Sequence, residues 1–230
     1  MHFLILGATG RTGVHGLKYS LEQGHSVTVL ARNTSSIEPH PNLTIIEGSV
    51  LSEDDMDRAI TSTGKPVDAV LVFLNSARVS LNPWAQFVGP PRLMADAVAN
   101  AARALRTKQS DVSQKPRLVV MNAMGSGESY NVTPYLFRLM INFSNIGKTY
   151  EDHNAVDAEI EENCGDEISW TLVLAVGLRG EGVLPVKTFA QNESPASTLI
   201  TRESCAKWMV DVAAGDMNEE FSNKRVIVCN

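Results

Sequence analysis

HFLILGATGRTG, residues 2–13, is the stretch on which the fold turns. The apolar run 2–7 has the composition of a strand covered on both faces. Gly7, Gly10 and Gly13 follow, and Val14, Leu17 and Leu21 then recur at helical spacing until Gly24 ends the run. A strand that turns sharply on glycines into a helix gathers bare backbone amides and the positive end of a helix dipole at one point. A diphosphate suits that point, because side chains at the glycines would hold it away, and Thr9 and Thr12 add hydroxyl donors. A glycine triplet alone is weak. As the first turn of a β-α-β unit it becomes a nucleotide-binding signal.

Outward from that turn the chain alternates. Strands are expected at 26–32, 43–48, 68–74, 117–123, 169–178 and 225–228, and helices at 53–60, 91–106, 151–163 and 203–214. Ser52 stands as an N-cap, with Asp55 at the third position of the first turn after it. This alternation predicts β-α-β units with right-handed crossovers, hence an α/β doubly wound parallel sheet of the Rossmann type. Ligands of such a sheet bind beyond the carboxyl ends of the strands, where strand order reverses. No linker divides the chain, so residues 1–230 are expected to form one dinucleotide-binding domain with substrate-side loops from the C-terminal half.

The second strand selects the cofactor. An Asp or Glu at its end accepts from the ribose 2′-OH of NAD, whereas an Arg pairs with the 2′-phosphate of NADP. Here the residue is Arg32, followed by Asn33, Thr34 and Ser35, with no carboxylate to repel phosphate. Arg11, inside the turn, offers a second guanidinium. NADP(H) is the expected cofactor.

Composition narrows the rest. The net charge of −6, without a Lys/Arg cluster, argues against nucleic acid. Three scattered cysteines suit a reducing compartment, and five isolated histidines form no metal-ligand set. The apolar runs fall short of membrane-spanning length, and the N-terminal one lacks the basic flank of a signal peptide. The expectation is a cytoplasmic protein with a small-molecule substrate, no metal, no membrane partner and a possible homodimer.

With these residues read, the chain resembles the atypical short-chain dehydrogenase/reductases of NmrA-like type, including the biliverdin reductase B (flavin reductase)-like members. The resemblance runs through LILGATGRTG (4–13), VTVLAR (27–32), IIEGSVLSEDD (45–55), RLVVMNAMGSGES (117–129), 144–178 and TRESCAKWMVDVA (201–213). It implies that Ser49 and Val50 cover the adenine, although the family usually has Asp where Ser49 stands. It further implies that Leu74, Asn75 and Ser76 line the cofactor, that Asn122, Ala123 and Met124 lie beside the nicotinamide, and that the pair Asp152-His153 places His153 near the nicotinamide ribose.

The departures bear on chemistry. Conventional members carry a Ser after the fifth strand and Tyr-x-x-x-Lys on the next helix. Here Asn122 and Ala123 occupy the Ser positions, Tyr150 is followed four residues later by Asn154, and Ala175-Val176 replace the common Arg-Pro. The usual proton relay is not encoded. His153 and Tyr150 remain as candidate acids, with Asn122 and Ser126 as neutral donors; each has a structural alternative, such as a buried hydroxyl bonded to backbone or turn punctuation. Hydride transfer to a flavin or quinone needs little from a protein acid, whereas a ketone needs a donor at the developing alkoxide. The loop 75–91, with Arg78, Trp84 and Phe87, and the segments 127–149 and 179–197 are the expected substrate contacts, with Met124; the aromatic, Met-rich character of 127–149 would equally suit a helix packed on the core or a dimer contact. The readings in view are an NADPH-dependent reductase of a small flat aromatic or conjugated acceptor (flavin, quinone or polyketide-like ketone), a non-catalytic NADP(H) sensor, and a non-redox isomerase or lyase.

Overall fold

A computed structural model describes residues 1–80, 82–108, 115–215 and 218–230, with backbone alone at Ala77, Asn218 and Glu219; part of the polar loop expected at 107–115 lies outside the described residues. In chain order the elements are β1 (His2–Leu6), α1 (Gly13–Glu22), β2 (Ser26–Ala31), β3 (Leu43–Glu47), α2 (Glu53–Thr61) and β4 (Ala69–Val72). A small hairpin, β5 (Ala77–Arg78) and β6 (Phe87–Val88), leads to α3 (Leu93–Lys108) and β7 (Arg117–Ala123). A 3-10 turn (Gly127–Val132), α4 (Tyr135–Phe143), α5 (Ile146–Asn163), β8 (Ser169–Ala175), β9 (Gly177–Leu178), β10 (Lys187–Ala190), β11 (Leu199–Ile200), α6 (Arg202–Ala214) and β12 (Lys224–Cys229) complete it.

The main sheet runs β10-β12-β8-β7-β4-β1-β2-β3. Every pairing in it is parallel except β10 with β12. β1 lies near the middle, flanked by β2 and β4, and no β1 side chain is more than 4% exposed. Burying Phe3, Leu4, Ile5 and Leu6 contributes roughly 1.5–3 kcal/mol each. Helices α1 and α6 pack together on one face, and α2, α3 and α5 on the other, with α4 against α5. From β1 the chain builds outward through β2 and β3, then returns to the other side of β1 with β4. The strand-order reversal therefore falls between β1 and β4, where the glycine turn begins.

Local chemistry explains the boundaries. The Ser52 side chain accepts from the Asp55 amide at 3.3 Å, as its position predicts. Thr201 caps α6 in the same way through the Ser204 amide, and Gly215, at φ +82°, closes it in the left-handed conformation. Three expectations change. The strand read as 169–178 ends at Ala175; the chain then leaves the sheet, and β9 pairs with β11 where a side chain on Gly177 would meet the Thr198 carbonyl at 2.9 Å. The acidic helix begins at Ile146 instead of 151. Residues 187–190 add an edge strand too short and too half-exposed to declare itself by alternation. No helix among the described residues is long and apolar enough to cross a membrane.

Candidate active site

The glycine turn is dense backbone on backbone. Gly7 has φ +84°, and a Cβ there would stand 2.8 Å from the Phe73 carbonyl oxygen at the end of β4. A Cβ on Gly13 would stand 2.1 Å from the Gly7 oxygen. The turn is pinned by the Gly10 amide donating to Gly7 O (3.0 Å) and the Val14 amide donating to Gly10 O (3.0 Å). Among the described residues the Arg11, Thr12 and Gly13 amides have no backbone acceptor, as the start of a helix requires. Thr12 is buried at the N-cap without a side-chain cap bond, and Thr9 is exposed beside it. The open amides and glycine surface fit a dinucleotide diphosphate.

Around this cradle lie cations. Arg32, directly after β2, is exposed with no carboxylate in ion-pair range among the described residues. Arg11 is likewise exposed, and Arg202, the first residue of α6, is half-buried; neither has a carboxylate in ion-pair range among the described residues. Arg11 stands close enough to Arg202 to help lower its basicity, after burial, the larger cause. The contact of His15 with Glu203 at 3.8 Å holds the two helix starts side by side. Arg202 carries no signal in the sequence, because nothing local reveals that α6 begins beside α1. Past β3, Asp55 accepts from the Ser49 amide at 2.8 Å, which with the Arg58 guanidinium keeps its carboxyl below the usual range. Ser49 Oγ accepts from the Leu51 amide at 3.2 Å, and the carbonyl of the buried Val50 accepts from Asn100 Nδ2 at 3.1 Å. This turn is thus shaped by Asp55 from α2.

On the other side of the reversal, Leu74 and Asn75 run beside Gly7, half-buried and exposed respectively. Ser76 is buried and donates to Asp152 at 2.7 Å. Asp152, 1% exposed, also accepts from the Met94 and Ala95 amides at 3.0 and 3.1 Å. No Ser, Thr, Asp or Asn stands in GPPR (89–92) to cap α3, so the cap comes from α5. Three hydrogen bonds offset the cost of burying this carboxylate. Ser76 is thereby tied to the framework.

At the end of β7 the candidate donors separate. The Asn122 amide group donates to His153 O (3.0 Å), and its oxygen accepts from the Ala123 amide (2.8 Å). Ser126 Oγ donates to Ala123 O at 2.8 Å. Tyr150 is buried, its hydroxyl donates to Met124 O at 2.7 Å, and burial raises its pKa well above the ordinary value. These three side chains are engaged with backbone, as the structural alternatives for Tyr150 and Ser126 anticipate. Met124 is itself buried, with its amide on Ala175 O. His153 differs. It is 6% exposed, its ring lies edge-on to Tyr150 at 5.3 Å, and its Nδ1 is buried without a partner. Burial lowers its pKa to about 4 despite the opposing pull of Asp152, so the imidazole is neutral at physiological pH. Thr149 Oγ1, on the same helix, is likewise buried and unpartnered. A lone Thr in a helix carries no signal in the sequence, so Thr149 stands out only in the fold.

Residues 7–216 match the NAD(P)H-binding family. The chain belongs to that family. Its fold is shared with solved structures of low identity. A short-chain dehydrogenase/reductase (wide type) from Veillonella parvula in complex with NADP is 17% identical, with a TM-score of 0.74 over 100% of this chain and 94% of that one. A Rossmann-fold NAD(P)-binding family protein from Shigella flexneri is 22% identical (TM-score 0.65, 99% and 92% covered). An anaerobillin reductase from Escherichia coli O157:H7 is 12% identical (TM-score 0.67, 100% and 97% covered). These neighbours share the Rossmann fold of this chain, and the family match makes it an NAD(P)H-binding one.

In this NAD(P)H-binding chain the loop after β4 is less committed than the framework. Arg78 donates to Asn82 O at 2.9 Å, within its own loop. Trp84 is 67% exposed, its amide donating to Asn82 Oδ1 and its carbonyl accepting from Asn145, both at 2.9 Å. Phe137 of α4 meets Tyr150 edge-on at 6.1 Å, which brings α4 to the same end of the sheet. A cavity of about 450 Å³ between β10 and the start of β12 lies at the amino end of β12, away from the glycine turn. Burial raises the Cys164 and Cys205 thiols to about 12, so neither is a nucleophile.

Proposed function

We infer that this protein is an NADPH-dependent reductase of a small, flat, conjugated acceptor of the flavin or quinone kind. One observation supports this acceptor class above the others. Asn122, Ser126 and Tyr150 are all bonded to backbone, and the remaining candidate, His153, is a buried neutral imidazole. A site without a ready acid favours acceptors whose reduced form takes its proton from water over ketones, which need a donor at the forming alkoxide. NADPH over NADH rests on Arg32, whose guanidinium has no carboxylate competing for it among the described residues.

The glycine turn and the α1 amides hold the diphosphate, with Arg11 and Arg202 adding charge from outside. Arg32 holds the 2′-phosphate, and Leu74, Asn75 and Ala123 border the crevice. Bound NADPH supplies the hydride, and the net change takes up one further proton from solvent. His153 presents a neutral ring nitrogen to the polar edge of what lies against it, and Trp84 offers an exposed aromatic face to the acceptor plane.

The test is NADPH oxidation, followed at 340 nm, with FMN and menadione. Turnover with either, and more slowly with NADH, supports the reading. Tight NADPH binding with no turnover over a broad acceptor panel would replace it with a sensor. Turnover confined to ketones would place a proton donor where none is seen.

A further inference from the structure

Helix α4 is rich in apolar side chains that the fold does not cover. Seven of its nine residues, YLFRLMINF, are aliphatic, Met or aromatic, and none is buried. Phe137 and Ile141, four apart, turn inward: Phe137 meets Tyr150, and a Cβ on Gly125 would touch Ile141 Cδ1 at 3.2 Å. Leu136, Leu139, Met140 and Phe143 recur at helical spacing along another face. Leu136 and Phe143, at the two ends of that stripe, are 74% and 73% exposed, with Leu139 and Met140 half-buried between them. The exposed Trp84 extends it, because Asn145, two residues past Phe143, donates to the Trp84 and Ala85 carbonyls at 2.9 and 3.2 Å. Large apolar side chains left in water along one helix face mark a surface that something covers.

Local charge identifies the cover. The chain carries a net charge of −6, yet it holds no Asp or Glu between Asp68 and Asp96 or between Glu128 and Glu151, the segments that carry Trp84 and α4. Of the four cations in those segments, Arg92 is paired with Asp96 and Glu159. Arg78, Arg138 and Lys148 have no carboxylate in ion-pair range among the described residues. The Arg138 guanidinium lies 5.8 Å from the Tyr130 and Tyr135 ring centres, on the flank of the stripe. An apolar stripe bordered by Trp, Tyr and cations is the pattern of a helix lying in the headgroup region of an anionic bilayer. A second copy of this chain fits less well. A twofold contact sets the same patch against itself, so cations would meet cations with no carboxylate in either segment to pair them. Composition discounts a membrane partner because no apolar run is long enough to span one, but lying on the surface needs no such length.

We propose that α4, with Trp84 beside its C-terminal end, is a docking surface for anionic lipid bilayers. The proposal goes beyond the reductase reading and does not depend on it.

The test is co-sedimentation of the full chain with vesicles of equimolar phosphatidylcholine and phosphatidylglycerol, against vesicles of phosphatidylcholine alone. Wild type should partition onto the anionic vesicles about tenfold or more in excess of the neutral ones, and added salt should weaken that binding. Leu136→Gln and Phe143→Gln should each lower partitioning about tenfold, and Lys148→Glu about fivefold or more. All three side chains are exposed, so the variants should keep wild-type urea midpoints and NADPH affinity. Trp84 is exposed whereas Trp208 is buried and Trp170 half-buried, so anionic vesicles should shift the tryptophan emission to the blue in wild type and not in Trp84→Phe. Equal partitioning onto both vesicles, none by wild type, or undiminished partitioning of the Gln variants would overturn the proposal. A dimer in solution that Phe143→Gln dissociates, with no vesicle binding, would give the surface to a second copy instead. Should either Gln variant fail to fold, Lys148→Glu and the salt dependence carry the same comparison.

Discussion

Replacing Gly13 by Ala tests whether the cradle depends on backbone contact. The added carbon would stand 2.1 Å from the Gly7 oxygen, 2.8 Å from the Gly7 carbonyl carbon and 3.1 Å from the Ala8 Cα. All three are main-chain atoms, so no side chain can swing away. Reaching even 3.0 Å from that oxygen requires α1 to lift from the end of β1 by roughly 1 Å, in a region packed to near-crystalline density. Overpacking of this kind costs about 1–3 kcal/mol, and the upper end applies when backbone must move. The same displacement shifts the Thr12 and Gly13 amides from where a diphosphate would meet them. Charge-assisted bonds contribute about 1.5–3 kcal/mol, so weakening one raises the NADPH dissociation constant about tenfold or more. Gly10→Ala is the control, because its nearest atom stands at 3.2 Å and a few tenths of an ångström suffice. Urea unfolding followed by tryptophan fluorescence gives the stabilities, and NADPH fluorescence titration gives the affinities. If Gly13→Ala matched Gly10→Ala in both, contact between Gly7 and Gly13 would not be what shapes the turn.

Arg32→Asp should raise the NADPH dissociation constant about tenfold or more while leaving NADH within about threefold, and Arg202→Ala should weaken both dinucleotides alike; a swapped pattern in the titrations would reverse the phosphate assignments. His153 is neutral when folded down to about pH 4, whereas the unfolded chain takes up its proton near 6.5. Its contribution to stability is therefore complete above pH 6.5 and is lost as the pH falls toward 4, on the order of 3 kcal/mol in all. Urea unfolding at pH 7.5 and 4.5 should show His153→Gln losing less than wild type; equal losses would mean that the ring is hydrated. Tyr150→Phe removes one bond to Met124 O and should cost about 1 kcal/mol of stability while sparing turnover, which His153→Ala should reduce more. The opposite order in steady-state assays would make the phenol the proton donor.

The parts legible in sequence were those whose cause is local. The glycine turn, the Ser52 cap and the periodic helices declare themselves within a dozen residues. So does Arg32, because its place after β2 is fixed by counting. What escaped depends on contacts distant in sequence. Tyr150, Asn122 and Ser126 are the residue types that donate protons or hydrogen bonds, and only the positions of Met124 O, His153 O and Ala123 O show them engaged elsewhere. Arg202 gains meaning only from which helix end lies opposite. The edge strand β10 is held by β12, more than thirty residues later, and its own four residues carry no pattern.

The remote cap on α3 also constrains the order in which the chain can assemble as it leaves the ribosome. Met94 and Ala95 are synthesised long before their acceptor, and until residue 152 emerges the third helix begins on amides that only solvent can satisfy. The first half of the sheet, glycine turn included, can collapse early, yet the start of α3 stays frayed through some sixty further residues of synthesis. An N-terminal fragment ending before α5 would carry the whole nucleotide signature and still lack the carboxylate that makes its neighbouring helix start in one place.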